Sequence, residues 1–220
     1  MRKIVLYLQY PRMIFADILY MKSKKVFLED KPIKEIIDED LEKYIPKSLK
    51  EAKNFSGIKA LNYVLVDNKR FRNVFYYRIQ KDERLSRSIF RMLSYLIVPP
   101  LDNIEIGTRD NGNIAGGLRI MHSLGCIIVP HNAGNNLTVF QGVTIGDGLK
   151  IGETGRRNPD IGDNVTIMPN SVVAGGITIG NNVTIGAGSV VLKSVPDNCL
   201  VVGNPARIIK LNGEKVDIKL

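Results

Sequence analysis

Apolar and polar positions in this chain recur on a period of six. From Ile161 to Val191 a branched apolar residue returns at every sixth position, through Ile167, Val173, Ile179 and Ile185. Neither a helix, at about 3.6 residues per turn, nor a lone strand, at about 2, produces that spacing. It predicts a parallel β-helix, in which short strands stack coil upon coil and bury one apolar column. Gly follows at Ile161-Gly162, Ile179-Gly180 and Ile185-Gly186, where a corner would be crowded by a side chain. The phase extends upstream through Val139, Ile145-Gly146 and Ile151-Gly152. Between Ile151 and Ile161 the step lengthens to ten, so Glu153 to Asp160 is expected to leave the wall as a loop. Breaks in solenoids usually carry function.

The first 100 residues follow a different rhythm. Ile36, Ile37, Leu41 and Ile45 recur at helical spacing, as do Ile58, Leu61, Tyr63 and Leu65. A third helix is predicted over Leu85, Ile89, Met92 and Leu96, introduced by Asp82-Glu83 and ended by Pro99-Pro100. The expected class is α+β: a helical domain over residues 1–100, a β-helix over 101–210, and a loose polar tail over 211–220. The wall is expected to close at Val195-Pro196-Asp197-Asn198.

Charge separates the two halves. Residues 1–100 carry 21 Lys and Arg against 12 Asp and Glu, hence the whole net charge of +9, while the remainder carries 10 of each. Only Lys22-Ser23-Lys24-Lys25 is a cluster, which favours a solvated surface, and no nucleic-acid partner is expected. Residues 1–25 set Leu6, Tyr7, Ile14 and Phe15 among Arg2, Lys3 and Arg12. Such a stretch either lies on a membrane surface or, the favoured reading, packs on helices or a partner subunit. Pro11, Arg12 and Asp17 interrupt it, so neither a signal peptide nor a spanning helix is expected.

Two cysteines, Cys126 and Cys199, make no disulfide framework and fit a reducing cytoplasm. Cys126, in the run Cys126-Ile127-Ile128-Val129, reads as a buried wall residue. With His122 and His131 as the sole histidines, a three-histidine zinc site cannot form within one chain, and no metal is expected. No Cys-x-x-Cys, His-Glu-x-x-His or phosphate-cradling Gly-x-x-x-x-Gly-Lys occurs. Histidine remains the natural general base near neutral pH. His131 follows Pro130 in a polar turn and reads as a surface residue.

Residues 103–211 resemble the left-handed β-helix acyltransferases, and most closely their serine acetyltransferase branch. Gly116-Gly117-Leu118-Arg119-Ile120-Met121-His122-Ser123-Leu124-Gly125 is similar to that branch's catalytic-histidine coil. Gln141-Gly142-Val143-Thr144-Ile145-Gly146, Ile185-Gly186-Ala187-Gly188-Ser189-Val190-Val191 and Gly203-Asn204-Pro205-Ala206-Arg207-Ile208 match later landmarks in order and spacing. The resemblance implies acetyl transfer from acetyl-CoA to a hydroxyl with His122 as base, in a groove between the β-helices of a homotrimer, which pairs further in some relatives. It implies cofactor contacts at Gly146, Asp147, Gly148, Thr166, Pro169 and Ala187, with Lys193, Arg207 and Lys210 facing the phosphates. Glu105, in Ile104-Glu105-Ile106, stands where the family places the carboxylate that orients the histidine.

Three departures bear on the acceptor. The branch carries Asp before its catalytic histidine, where this chain has Met121. It carries a second histidine in the loop, where Asn158 follows Arg156-Arg157. Its helical domain is also longer. The stretch from Asn68 to Arg78 resembles serine-acetyltransferase-like proteins of polysaccharide and capsule clusters. A sugar hydroxyl is therefore the expected acceptor, with serine the alternative, and Asn158, Arg157 and Met121 are the expected acceptor residues. A lipid-linked glycan would place the enzyme at the inner face of the membrane. A non-catalytic scaffold presenting Thr166, Thr178 and Thr184 in one column is the competing class, and transfer to an amine would use the same base and cofactor.

Overall fold

The computed structural model describes residues 31–50, 57–80, 99–122, 124–149 and 151–220. The chain divides into two compact units, Met1–Leu101 and Asp102–Leu220. The predicted helix over Leu85–Leu96 and the basic stretch over residues 1–25 lie outside the described residues.

In the first unit, helices α1 (Lys31–Glu42), α2 (Lys47–Lys50), α3 (Gly57–Asp67) and α4 (Lys69–Gln80) follow one another. Ile37 and Leu41, one turn apart, are buried, as are Leu61 and Leu65, because each pair occupies one helical face. Asn68 caps α4: its Oδ1 accepts from the N–H groups of Arg70 at 3.1 Å and Phe71 at 3.3 Å. Two arginines of the Asn68–Arg78 stretch, Arg72 and Arg78, turn inward. Arg72 donates to the carbonyls of Leu65 at 2.6 Å, Val66 at 2.7 Å and Pro99 at 3.2 Å, satisfying the C-terminal end of α3. Arg78 grips Asp40 of α1 through Nε and Nη2, at 2.8 and 3.1 Å. The stretch that raised the expectation of a glycan acceptor therefore builds a helical core. Among the described residues no helix is long and apolar enough to cross a membrane.

The second unit is a left-handed parallel β-helix with three faces. Face A stacks β1 (Ile104–Ile106), β3 (Cys126–Ile128), β6 (Thr144–Gly146), β9 (Val172–Ala174) and β12 (Val190–Val191). Face B stacks β4 (Asn132–Ala133), β7 (Asp160–Ile161) and β10 (Thr178–Ile179). Face C stacks β2 (Arg119–Ile120), β5 (Thr138–Val139), β8 (Thr166–Ile167), β11 (Thr184–Ile185) and β13 (Cys199–Val202), then β14 (Arg207–Leu211) and β15 (Glu214–Lys219). The six-residue period is one face per repeat: Ile167 of face C, Val173 of face A and Ile179 of face B are each fully buried. Parallel registers such as Thr138↔Thr166↔Thr184 carry each column from coil to coil. The corner glycines are there for space. A Cβ on Gly162 would lie 2.8 Å from the backbone of Gly180.

The corner between faces B and C is an asparagine ladder. Asn136, Asn164, Asn182, Asn198 and Asn212 all adopt left-handed backbone, φ 51–62°. Each donates its side-chain amide to the next, at 3.0, 3.2, 3.0 and 3.1 Å. Asn tolerates that conformation better than other residues with a Cβ.

Two expectations fail here. Ile151 keeps the six-residue spacing from Ile145 but is 72% exposed, so the excursion from the wall begins at Asp147, not Glu153. Nor are residues 211–220 a loose tail. Asn212-Gly213, with φ 51° and 86°, turns the chain into β15, which pairs antiparallel with β14 in the register Leu211↔Glu214.

Candidate active site

His122 stands where the chain leaves face C after β2, and its side chain is exposed. Its ring packs near Phe140, centroids 6.2 Å apart, and makes no hydrogen bond to any described residue. Because Arg119 pairs with Thr138 and Ile120 with Val139, His122 shares its corner with Gln141 of the next coil. By the same ladder Pro169 and Ala187 follow below, with Thr166 at the start of the strand that leads to Pro169. Gln141 Oε1 is buried and has no hydrogen-bond partner among the described residues. Cys126 lies behind the histidine, as a buried wall residue, its Sγ 3.2 Å from the carbonyl of Phe140. Burial pushes its thiol above the ordinary value, although N–H groups of Val143 and Gly142 pull the other way.

Glu105 is not brought to the histidine. It sits exposed in mid-β1 on face A, level with Ile127, and no hydrogen bond joins it to His122.

Gly146, Asp147, Gly148, Arg157 and Lys193 gather at the other edge of face A, apart from Arg207, Lys210 and Met121. Gly146 ends β6, and the excursion starts at Asp147 and Gly148. Gly148 lies flat on the next coil, where a Cβ would come 2.5 Å from Gly175 Cα. Arg157 closes the neck of the excursion on Asp147, Nε to Oδ1 at 3.0 Å and Nη2 to Oδ2 at 2.9 Å. Lys193, level with Gly175, is exposed at the same corner. Arg207 and Lys210 are on β14, where Arg207 is ion-paired to Asp217 of β15 and Lys210 is exposed. Met121 is half-buried, its N–H bonded to Val139 O at 2.9 Å.

Asn158 and His131 depart furthest from expectation. Asn158 is buried, and its Nδ2 donates to Val129 O at 2.7 Å, so it pins the excursion to the wall. His131 is no surface residue: it is 6% exposed, with Nδ1 2.8 Å from Asp160 Oδ1. Its partner comes 29 residues later, on the far side of the excursion, so no local pattern reveals the burial. Among the described residues no group of three or more His, Cys, Asp or Glu could hold a metal ion.

An exposed imidazole on a β-helix corner, above a column of coil backbone, defines the class. This is a hexapeptide-repeat transferase, and the family description "Bacterial transferase hexapeptide (six repeats)" matches residues 158–193. A serine acetyltransferase of Staphylococcus epidermidis is 37% identical over 163 residues, covering 74% of this chain and 69% of the relative. The serine acetyltransferase of Staphylococcus xylosus is 42% identical over 134 residues, covering 60% of this chain and 56% of its own length. Soybean serine acetyltransferase superposes with TM-score 0.60 at 28% identity, over 84% of this chain and 72% of that one. The Neisseria gonorrhoeae serine acetyltransferase in complex with serine does so with TM-score 0.56 at 28% identity, with the same coverage. The chain belongs to the serine acetyltransferase family, and it is an acetyl-CoA-dependent O-acetyltransferase. The expectation of a sugar acceptor is overturned by these relatives, which carry the alternative, serine.

Proposed function

We propose that the protein moves the acetyl group of acetyl-CoA to the side-chain hydroxyl of L-serine, giving O-acetylserine and CoA. The naming of relatives at 37% and 42% identity as serine acetyltransferases carries this reading. The departures at Met121 and Asn158 do not argue against it, because Asn158 is spent on the wall and leaves recognition to other groups.

His122 is the general base. It takes the serine proton as the oxygen attacks the thioester carbonyl, since a neutral hydroxyl is a poor nucleophile. Coil N–H groups beside the histidine stabilise the oxyanion. As the C–S bond breaks, the imidazolium returns its proton to the departing sulfur, and the new C–O bond completes the ester. Phe140 holds the ring from one side.

The working unit is a homotrimer. His122, Pro169 and Ala187 lie at one edge of face A, while Gly146, Asp147, Gly148 and Lys193 lie at the other. Copies packed edge to edge bring one group against the other in the groove that takes acetyl-CoA.

Release of free CoA thiol, with L-serine as sole acceptor, tests the reading. Robust turnover sustains it. No turnover, with acetyl-CoA still bound, removes serine as the substrate.

A further inference from the structure

The excursion from the wall is stitched down at one root by a buried histidine to which the chemistry above gives no part. His131 N–H donates to Pro159 O at 2.9 Å, and its ring meets Asp160 Oδ1 at 2.8 Å. A carboxylate only accepts, so Nδ1 carries the proton in that bond. Asn132 Nδ2 is a donor too, so it lies against that nitrogen at 2.7 Å without bonding it and donates instead to Asp160 Oδ1 at 3.0 Å. The second oxygen, Oδ2, takes Arg156 Nη1 at 3.1 Å. Arg156 in turn holds the excursion on itself, its carbonyl accepting from Gly152 N–H at 2.7 Å.

We propose that His131 is a positioning residue for acceptor binding: through Asp160 and Arg156 it sets the conformation of residues 147–149 and 151–159, which the homotrimer proposed above lays against the serine site of a neighbouring copy. The proposal rests on the serine reading above. The chain of contacts runs from a rigid wall segment to the excursion and touches no reacting atom. The ring is buried where the wall is regular, while Arg156 and Arg157 are exposed, so the histidine, with buried Asn158 beside it, forms the fixed end and the rest of the excursion is the part being placed. Most of the excursion's ties are exposed polar contacts, which hold a loop weakly unless one end is anchored in a dry site.

His131→Leu keeps the volume and removes the bond, and His131→Asn offers Asp160 an amide donor in its place. His131→Leu should raise the KM for L-serine by about tenfold or more, the scale of a misplaced positioning group, with the acetyl-CoA KM and melting temperature unchanged. His131→Asn should recover most of the loss. Hydrogen exchange should quicken in peptides covering 147–159 of His131→Leu and stay unchanged in the coils. Unchanged exchange and unchanged KM would overturn the proposal. So would both KM values and the melting temperature moving together without rescue by His131→Asn, the mark of a merely structural residue. If the wild-type protein does not turn over L-serine, the function fails, and loop exchange alone sustains or overturns the latch.

Discussion

Arg78 and Asp40 meet at two points in the core of the helical unit, with side chains 5% and 1% exposed. Arg157 and Asp147 show the same fork, but half in water, at 50% and 43%. Equal geometry does not give equal energy. Cutting a buried pair strands a charge at a cost of about 3–5 kcal/mol, whereas an exposed pair contributes about 0–1 kcal/mol. Arg78→Ala should therefore collapse the urea-unfolding midpoint, and Arg157→Ala should barely move it. Similar losses for the two variants would reject the burial argument.

Removing the imidazole tests the chemistry. His122→Ala should lower turnover about 10²–10⁴-fold, the usual contribution of a positioned base, with acetyl-CoA binding retained. Thiol release and equilibrium binding on the same sample separate the two. An intact rate would end the assignment.

Gln141 offers an unusual sign. Its orphan Oε1 costs about 1–3 kcal/mol when empty, so Gln141→Leu should raise the melting temperature of the free protein. If the acceptor supplies the missing donor, the same variant should raise the KM for L-serine about tenfold, as loss of a hydrogen bond to a charged group does. A gain in stability without a loss of affinity would assign the oxygen to a neighbouring copy or to nothing.

The buried thiol of Cys126 sets an alkaline limit. Its folded pKa lies above the ordinary 9.0, so the unfolded thiol ionises first. Stability from this group is complete below pH 9 and is lost as pH rises through the folded value, since the unfolded state then holds fewer protons. Unfolding midpoints across that range should fall less in Cys126→Ala than in wild type. Parallel curves would show that the thiol plays no part.

Much of the architecture could be read from spacing, because burial in a β-helix repeats within a few residues. Ile167, Val173, Ile179 and Ile185 fall at their expected places for that reason. So do Ile37 and Leu41, on one face of α1. Spacing failed where one residue matched the period by chance, as at Ile151. It failed too where a turn signal went unread, at Asn212-Gly213. Three features needed coordinates because their causes are distant in the chain: the burial of His131 by Asp160, the inward arginines of α4, and the empty Oε1 of Gln141. The sugar acceptor expected from Met121, Asn158, the shorter helical domain and the Asn68–Arg78 stretch is overturned by relatives that are serine acetyltransferases. A pocket can be rebuilt from other residues, and relatives of the whole coil carry more weight than two positions.

The asparagine corner has a consequence for how damage spreads. Asn164, Asn182 and Asn198 each give one amide bond and receive another, whereas Asn136 only gives and Asn212 only receives. Losing an inner rung severs two links and leaves an orphan on each side; losing an outer one severs a single link. The corner behaves like a zip, with tolerance to change highest at its two ends and falling toward the middle.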